Sequence, residues 1–343
     1  MLAGALANST SAFPPPAQCF VAVSATSASD AWVVGNRSRT FSNTRPVVAR
    51  WNGARWRASR IPPALLPRGS YLLGIAATSA SDAWTVGQST GSPGGTLILH
   101  WNGSAWQRKA TPNPQITGNV LDGALAFSPV DAWVAGEGFM LRWDGATWQI
   151  SPVYPEFAGL GGSGPNDLWT FADTPQGVQA MYHWDGAGWS AFPLPNWSPV
   201  RDEIDAITSS SPTDAWAVGA ERSRRTLTLH WDGRAWRRVP TPNPGPDNLL
   251  YGVSARSATD AWAVGAYETR RRAGQLSPLI LHWNGRRWRV TRIRLGFDSS
   301  LRGVAVYGAG HAWAVGCGAR GPLILRWSRS AWRRISAPFS VRR

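Results

Sequence analysis

Short apolar segments separated by polar turns recur through nearly the whole chain, four to a repeat. In the sixth repeat they are residues 250–254, 261–265, 279–283 and 288–290. Short apolar runs bounded by turn residues predict β-strands, which are named A to D within each repeat. Asn-Gly or Asp-Gly stands between strands C and D in six of the seven repeats, as at Asn284-Gly285, and this is a strong hairpin turn signal.

Tryptophan occupies three fixed positions in each repeat: one in strand B, one at the end of strand C and one at the start of strand D. The second of these advances from residue 51 to residue 327 in six steps, so the repeat averages about 46 residues. An indole can bury roughly 150–250 Å², so we expect the triplets to pack neighbouring repeats together. Of the 22 tryptophans only Trp197 lies outside the pattern, which makes it a candidate exposed functional aromatic. The triplets are Trp32/Trp51/Trp56, Trp84/Trp101/Trp106, Trp133/Trp143/Trp148, Trp169/Trp184/Trp189, Trp216/Trp231/Trp236, Trp262/Trp283/Trp288 and Trp313/Trp327/Trp332.

Seven repeats of four antiparallel strands predict an all-β fold, a seven-bladed β-propeller. A proline-rich link follows strand D, as at residues 111–114 and 241–244. Proline cannot donate to a sheet, so these links should cross unpaired from the outer strand of one blade to the inner strand of the next. An open solenoid is the alternative, but it would need atypical capping repeats, and the end repeats keep the full pattern.

Strands B and C also follow a recognisable residue pattern. Residues 215–219 read Ala-Trp-Ala-Val-Gly, residues 229–233 read Leu-His-Trp-Asp-Gly, and Trp236 follows. This pattern resembles kelch-like repeats of the galactose oxidase central domain, and more closely resembles repeats of bacterial secreted propellers. The resemblance covers about residues 19–338 and departs from kelch repeats in having single rather than double glycines. It implies a propeller and carries little information about function.

The repeats divide the chain into a leader and one domain. We expect residues 1–18 to be a disordered leader or a truncated signal peptide, because a short apolar stretch there precedes small residues. Residues 19–343 should form a single propeller. Its blades are predicted at about residues 19–66, 67–117, 118–156, 157–198, 199–246, 247–297 and 298–343.

Positive charge is concentrated in the second part of the chain. Residues 1–200 hold 11 Lys and Arg against 10 Asp and Glu, whereas residues 201–343 hold 24 Arg against 10 Asp and Glu. Many of these arginines lie in the variable B–C loops, which should share one rim of the propeller. This clustering predicts a basic arc on blades five to seven and one that binds an anionic polysaccharide, another polyanionic polymer or an acidic protein. The predicted binding residues are Arg37, Arg39, Arg222, Arg224, Arg225, Arg270, Arg271, Arg272, Arg320 and Trp197.

Aspartate precedes the first tryptophan of six repeats by two residues, and His or Arg precedes the second tryptophan. Both positions should lie on one rim, so we expect an Asp-to-His or Asp-to-Arg hydrogen bond in each of these blades. Blade seven should lack it, because His311 replaces the aspartate and faces Arg326. The alternative is that both side chains face solvent.

The sequence contains no catalytic motif: it has no Gly-x-Ser-x-Gly elbow, no phosphate-binding loop and no His-Glu-x-x-His. We therefore expect no cofactor and no metal, and a binding protein rather than an enzyme. The acidic cluster of Asp202, Glu203 and Asp205 is interpreted as a solvated loop. Two alternative functions stay open. One is a nucleic-acid binder, and the other is a carbohydrate-active enzyme with a carboxylate pair facing the propeller axis.

The two cysteines fall at the start of strand A in blade one, Cys19, and just after strand B in blade seven, Cys317. If the ring closes, they share a rim and a blade boundary, so a disulfide across the seam is a hypothesis with two free thiols as the alternative. A disulfide would indicate an oxidising compartment, which favours an extracellular or envelope location over the cytoplasm. No apolar run approaches the roughly 18 residues of a membrane helix, and we expect a monomer.

Overall fold

The computed structural model confirms the seven-bladed β-propeller with four antiparallel strands per blade. Its described residues form seven four-stranded sheets, each made of four strands consecutive in the chain. No helix in the described part of the chain is long and apolar enough to cross a membrane. The structure describes residues 18–38, 44–90, 94–114, 119–136, 138–151, 157–173, 179–195, 202–221, 223–269, 274–293, 295 and 298–339.

Strands A surround the axis and strands D lie at the outer edge. The A strands are β1 (Gln18–Ser27), β5 (Ser70–Ser79), β9 (Leu121–Ser128), β13 (Phe157–Gly164), β17 (Asp202–Ser211), β21 (Asn248–Ser257) and β25 (Ser300–Gly308). The B strands are β2 (Asp30–Ser38), β6 (Asp82–Ser89), β10 (Asp131–Gly136), β14 (Asp167–Asp173), β18 (Asp214–Glu221), β22 (Asp260–Glu268) and β26 (His311–Gly318). The C strands are β3 (Thr44–Trp51), β7 (Gly95–Trp101), β11 (Phe139–Trp143), β15 (Gln179–Trp184), β19 (Arg225–Trp231), β23 (Leu276–Trp283) and β27 (Gly321–Ser328). The D strands are β4 (Trp56–Ser59), β8 (Trp106–Arg108), β12 (Trp148–Ile150), β16 (Trp189–Pro193), β20 (Trp236–Arg238), β24 (Trp288–Val290) and β28 (Ala331–Arg334), and one 3-10 helix spans Pro63–Leu65.

Strand B is the most deeply buried strand of a blade. In β22, residues 261–266 are all buried. Each sheet is covered on both faces by its neighbours, so strand B reads as a continuous apolar run instead of alternating with polar residues. This double burial explains the Ala-Trp-Ala-Val pattern of the repeat.

The tryptophan triplets join each blade to the next, as the sequence predicts. Trp216 of blade five packs against Trp283 and Trp288 of blade six, with ring centroids 4.9 and 5.0 Å apart. The same contact joins blade seven to blade one, where Trp313 lies 5.1 Å from both Trp51 and Trp56. The first tryptophan of every blade is at most 2% exposed. These indoles are therefore structural.

The ring closes without exchanging a strand between the two ends of the domain. Blade one contains only β1 to β4 and blade seven only β25 to β28, and β1 contacts both β25 and β26. A disulfide joins Cys19 of β1 to Cys317 of β26, with their Cα atoms 4.7 Å apart. The contact between the first and last blades rules out an open solenoid.

The glycine that ends the Ala-Val-Gly pattern is required by a bulge in the adjacent strand A. The register between β21 and β22 shifts between Leu250 and Gly252, leaving Tyr251 as the extra residue. A Cβ on Gly265 would lie 1.9 Å from the carbonyl oxygen of Leu249. The glycine therefore serves strand packing, not catalysis.

Candidate binding surfaces

The propeller has two different rims. The turn rim carries the A–B and C–D turns of every blade. The loop rim carries the B–C loops and the proline-rich links. Because strands alternate in direction, residues at the end of B, the start of C and the end of D all belong to the loop rim.

The turn rim carries the Asp-to-His pairs that the sequence predicts. In blades two, four and five, the His Nε2 lies 2.7 Å from an Oδ1 of the aspartate, and in blade six the distance is 3.0 Å. The pairs are His100–Asp82, His183–Asp167, His230–Asp214 and His282–Asp260.

Arginine replaces histidine in blades one, three and seven, and its contact with the aspartate position differs among these three blades. Arg50 Nε donates to Asp30 at 2.9 Å, whereas Arg142 lies 3.6 Å from Asp131, an ion pair too long for a hydrogen bond. Blade seven has no carboxylate at this position, and Arg326 Nε instead donates to the Tyr307 hydroxyl at 3.2 Å. The hypothesis of paired side chains is confirmed, with a looser contact in blade three and the expected exception in blade seven.

The paired histidines also cover the first tryptophan of their blade. His282 stacks on Trp262 with ring centroids 4.1 Å apart. The His282 hydrogen bond lowers the pKa of Asp260 below its ordinary value of 3.8; burial opposes this shift, and Arg256 adds to it. The Asp260 carboxylate therefore stays charged and hydrogen-bonded to His282 and Arg256. These histidines have a structural role and are poor candidates for a catalytic base.

The loop rim carries those predicted basic residues that the structure describes. Arg37 lies directly opposite Arg45 on strands β2 and β3. Arg224 is ion-paired with Asp247 at 2.6 Å, so its charge is already compensated. Arg225 is exposed at the start of β19. Arg39, Arg222, Arg270, Arg271, Arg272 and Trp197 lie outside the described residues.

A cavity of about 240 Å³ opens on the loop rim of blade seven. Arg320, from the turn between β26 and β27, and Arg334, at the end of β28, both line it, together with Leu295 and Leu323. Both guanidinium groups belong to exposed residues, and neither has an acidic partner among the described residues. Arg320 is among the predicted binding residues and Arg334 is not, because nothing in the local sequence shows that β28 ends beside the B–C loop of blade seven.

A second polar cluster, called the axial group, lies on the innermost strands around the propeller axis. Asp205, Tyr251 and Arg302 are the extra residues at the strand A bulges of blades five, six and seven. The Arg302 guanidinium carbon lies 4.2 Å from the centre of the Tyr251 ring. Burial raises the pKa of Asp205 to about 8; the nearby Glu203 charge adds to this, and Arg302 opposes it. Arg302 and Asp205 influence each other electrostatically although blade six lies between their strands.

The sequence interpretation of Asp202, Glu203 and Asp205 as a solvated loop is wrong. All three lie in the innermost strand β17. Asp202 accepts a hydrogen bond from Arg238 at 2.5 Å. The polar residues following Pro199 read locally as a loop, whereas their position near the axis depends on how seven blades close.

No protein-family model and no curated protein matches the chain. Solved structures with a similar fold do match. They include YCF48 bound to D1 peptide (14% identity, TM-score 0.62, 92% of this chain and 93% of that one). They also include the SapL1 lectin in complex with alpha methyl fucoside (16%, 0.52, 94% and 98%). A third is the polysaccharide lyase PL25 ulvan lyase (10%, 0.58, 93% and 96%). At these identities the likeness shows the β-propeller fold alone.

Proposed function

We propose that this chain is a non-catalytic binding propeller, extracellular or envelope-associated, that recognises an anionic partner through the loop rim of blades five to seven and one. The observation that carries the proposal is the cavity lined by Arg320 and Arg334. Guanidinium groups form charge-assisted, bidentate hydrogen bonds with carboxylate, sulfate or phosphate. Two of them beside one cavity, with no acidic partner among the described residues, suit an anionic group of the partner.

Across the seam, Arg37 and Arg45 extend the basic surface to blade one. Like charges placed directly opposite on neighbouring strands are destabilising, and a bound anion would relieve that repulsion. An anionic polysaccharide is the favoured partner and an acidic protein the next. Both the lectin and the lyase named above handle saccharides on this architecture.

Nucleic acid is less well supported. Binding to single strands uses exposed aromatic side chains on which bases stack, interleaved with basic residues. No aromatic side chain in the described residues is exposed, and the repeat tryptophans are engaged between blades. A purely electrostatic attachment to duplex DNA is left as an outcome of the experiment.

The test is a binding panel of polygalacturonate, a sulfated glycan, polyglutamate and duplex DNA at low and physiological salt. The variant is Arg320→Gln/Arg334→Gln, and its control is Arg57→Gln/Arg108→Gln. The control removes the same charge from exposed positions on β4 and β8. We expect the variant to lose at least about tenfold in affinity for an acidic glycan, since each charge-assisted hydrogen bond contributes roughly 1.5–3 kcal/mol.

The control should change affinity far less than the variant. Equal losses in both variants would show non-specific attraction to net charge and would contradict the proposal. So would the absence of binding to every polyanion at low salt. Preference for DNA over all acidic glycans would favour the nucleic-acid alternative.

The axial group favours one second candidate, a carbohydrate-active enzyme. Such enzymes need two carboxyl groups of different protonation state, one acting as acid and the other as base or nucleophile. With a pKa raised to about 8, Asp205 is mainly protonated at neutral pH, and the exposed Glu203 lies two residues away on the same strand. Release of reducing ends from a polysaccharide by the wild-type chain but not by Asp205→Asn would support this function. Equal activity in both, or none in either, would remove it.

A further inference from the structure

A second cavity, of about 260 Å³, lies on the turn rim between blades six and seven. Its lining includes Trp262, His282 and Asn284 of blade six and Trp327 and Arg329 of blade seven. It is on the opposite rim from the Arg320–Arg334 cavity, so neither the basic arc nor the axial group accounts for it. Three features of its lining indicate what it could bind.

The first feature is the backbone of Arg329. Arg329 has φ +59° in the C–D turn of blade seven, and the aligned residue in each of the other six blades is glycine with φ between +85° and +96°. The left-handed region is unfavourable for a residue with a Cβ, and side chains held there tend to cluster at functional sites. The exposed Arg329 side chain lines the cavity and has no acidic partner in the described part of the chain.

The second feature is the indole N–H of Trp327. In five blades the equivalent N–H donates to a carbonyl of the A–B turn at 2.9–3.3 Å. Among the described residues, Trp184 and Trp327 make no such bond, and Trp327, which is partly exposed, lines this cavity. In blade seven the A–B turn is Gly308-Ala309-Gly310, which departs from the Ser-x-x-Asp pattern of most other blades.

The third feature is the carboxamide of Asn284. Its Oδ1 accepts the backbone N–H groups of Arg286 and Arg287 at 3.1 and 3.0 Å, so its NH₂ group remains available. The cavity thus offers a guanidinium, an indole N–H and an amide NH₂ as donors. The Asp260 carboxylate also lines it, but this group is already hydrogen-bonded to His282 and Arg256. Donors of this kind suit a ligand with hydrogen-bond acceptors and a negative charge, above all a carboxylate.

The arrangement of the aromatic rings that line the cavity favours a sugar over a nucleotide. His282 already covers one face of Trp262, and Trp327 is tilted by 54° to Trp262. Trp262 is only 2% exposed, so no pair of parallel open ring faces is offered to a flat base. A saturated sugar ring can instead contact the partly exposed Trp327 indole through its C–H groups. The cavity is also smaller than the roughly 300–1,000 Å³ of pockets for drug-sized ligands, so it suits one sugar ring.

We propose that this pocket binds a single uronic acid residue of a saccharide, with the carboxylate held by Arg329 and the Trp327 N–H. The site stands apart from the proposed loop-rim function, because its residues lie on the other rim. The Asp260–His282 pair also lines this pocket. Binding involves no covalent step.

The experiment measures binding of methyl galacturonoside to the full chain by calorimetry and by saturation-transfer NMR. The comparison ligands are its methyl ester, which lacks the negative charge, and adenosine monophosphate. Arg329→Gly removes the guanidinium and installs the residue found in six other blades, and Arg329→Asn is a second variant tolerant of this conformation. Trp327→Phe removes the N–H and keeps a ring. Arg286→Ala, an exposed residue of the blade six turn outside the cavity, is the matched control.

We expect the ester to bind at least about tenfold more weakly than the uronoside, and both Arg329 variants to lose about as much. Trp327→Phe should lose about fivefold, consistent with one neutral hydrogen bond. Arg286→Ala and Arg320→Gln/Arg334→Gln should bind as the wild type does, and Arg329→Gly should melt no earlier than the wild type.

Undetectable uronoside binding would overturn the proposal. Wild-type affinity in a folded Arg329→Gly or Arg329→Asn variant would also overturn it, as would equal affinity for the ester. Tighter binding of adenosine monophosphate at these residues would assign the pocket to nucleotides. If the chain binds the uronoside but binds no polyanion in the panel, this site is supported and only the loop-rim function is rejected.

Discussion

Aspartates and histidines that resemble catalytic groups in the sequence are used here to brace a blade. Asp260 illustrates this at the scale of one residue. It accepts hydrogen bonds from His282 at 3.0 Å and from Arg256 at 3.0 Å, and its side chain is only 15% exposed. The partner histidine lies flat on Trp262, so the polar pair and the aromatic wedge support each other. Histidine recurs at the same repeat position in four blades, and such repetition is typical of a structural role.

Replacing Asp260 by Asn should destabilise the protein at neutral pH by about 1–3 kcal/mol. Because the folded-state pKa of Asp260 is lowered below 3.8, its stabilisation is complete above the unfolded-state pKa and is lost as the pH falls through the folded-state pKa. The gap in unfolding free energy between wild type and variant should therefore shrink in acid. Urea denaturation at neutral and acid pH measures it, with the exposed Asp298→Asn as control. A gap that stays constant with pH would contradict the assignment.

At the scale of strands and blades, the local pattern predicts the elements and leaves their ends undetermined. The strand B segment 261–265 is confirmed, but β22 extends over Asp260–Glu268 because polar residues at its ends continue the ladder. Glu268, for example, pairs with Leu276 of β23. Apolar periodicity does not register polar residues such as Asp260 and Glu268, although their main chains are paired in the sheet.

The candidate sites were harder to predict than the strands. The loop rim was predicted in outline, because B–C loops must share an edge once the fold is a propeller. The other features depend on how distant segments of the chain meet. They are the cavity that Arg320 and Arg334 share, the proximity of Asp205 to Arg302, and the turn-rim cavity. Arg329 carried one readable signal, because it stands where six repeats have glycine.

The bulge glycine makes a prediction about the blade as a unit. Gly265→Ala places a Cβ against the main chain of β21, which cannot move without disturbing the neighbouring blade. We expect the free energy of unfolding to fall by about 1–3 kcal/mol, which is typical of overpacking a tight interior. Gly188→Ala is the control, because no atom lies within 4 Å of its added Cβ. Thermal melting of the two variants tests this, and equal melting temperatures would show that the A–B bulge can relax.

At the scale of the whole molecule, the seam between blades one and seven depends on side chains. Each blade is made of its own consecutive strands, so no backbone ladder spans the boundary. Trp313 packs between the blades against Trp51 and Trp56, and the Cys19–Cys317 disulfide links residues 298 positions apart. The two devices differ in kind: the indoles contribute buried apolar area, whereas the disulfide restricts the unfolded chain.

Cys19→Ser/Cys317→Ser should therefore fold into the same ring and lose roughly 2–5 kcal/mol of stability, because a cross-link closing so long a loop removes much of the entropy of the unfolded chain. The loss should begin locally. Hydrogen exchange should accelerate first in β1 to β4 and β25 to β28, since these blades border the seam, while β9 to β16 on the far side stay protected. Reductant should lower the melting temperature of the wild type toward that of the variant and leave the variant unchanged. A wild type indifferent to reductant, or protection lost evenly around all seven blades, would mean that the tryptophan wedge alone holds the ring closed.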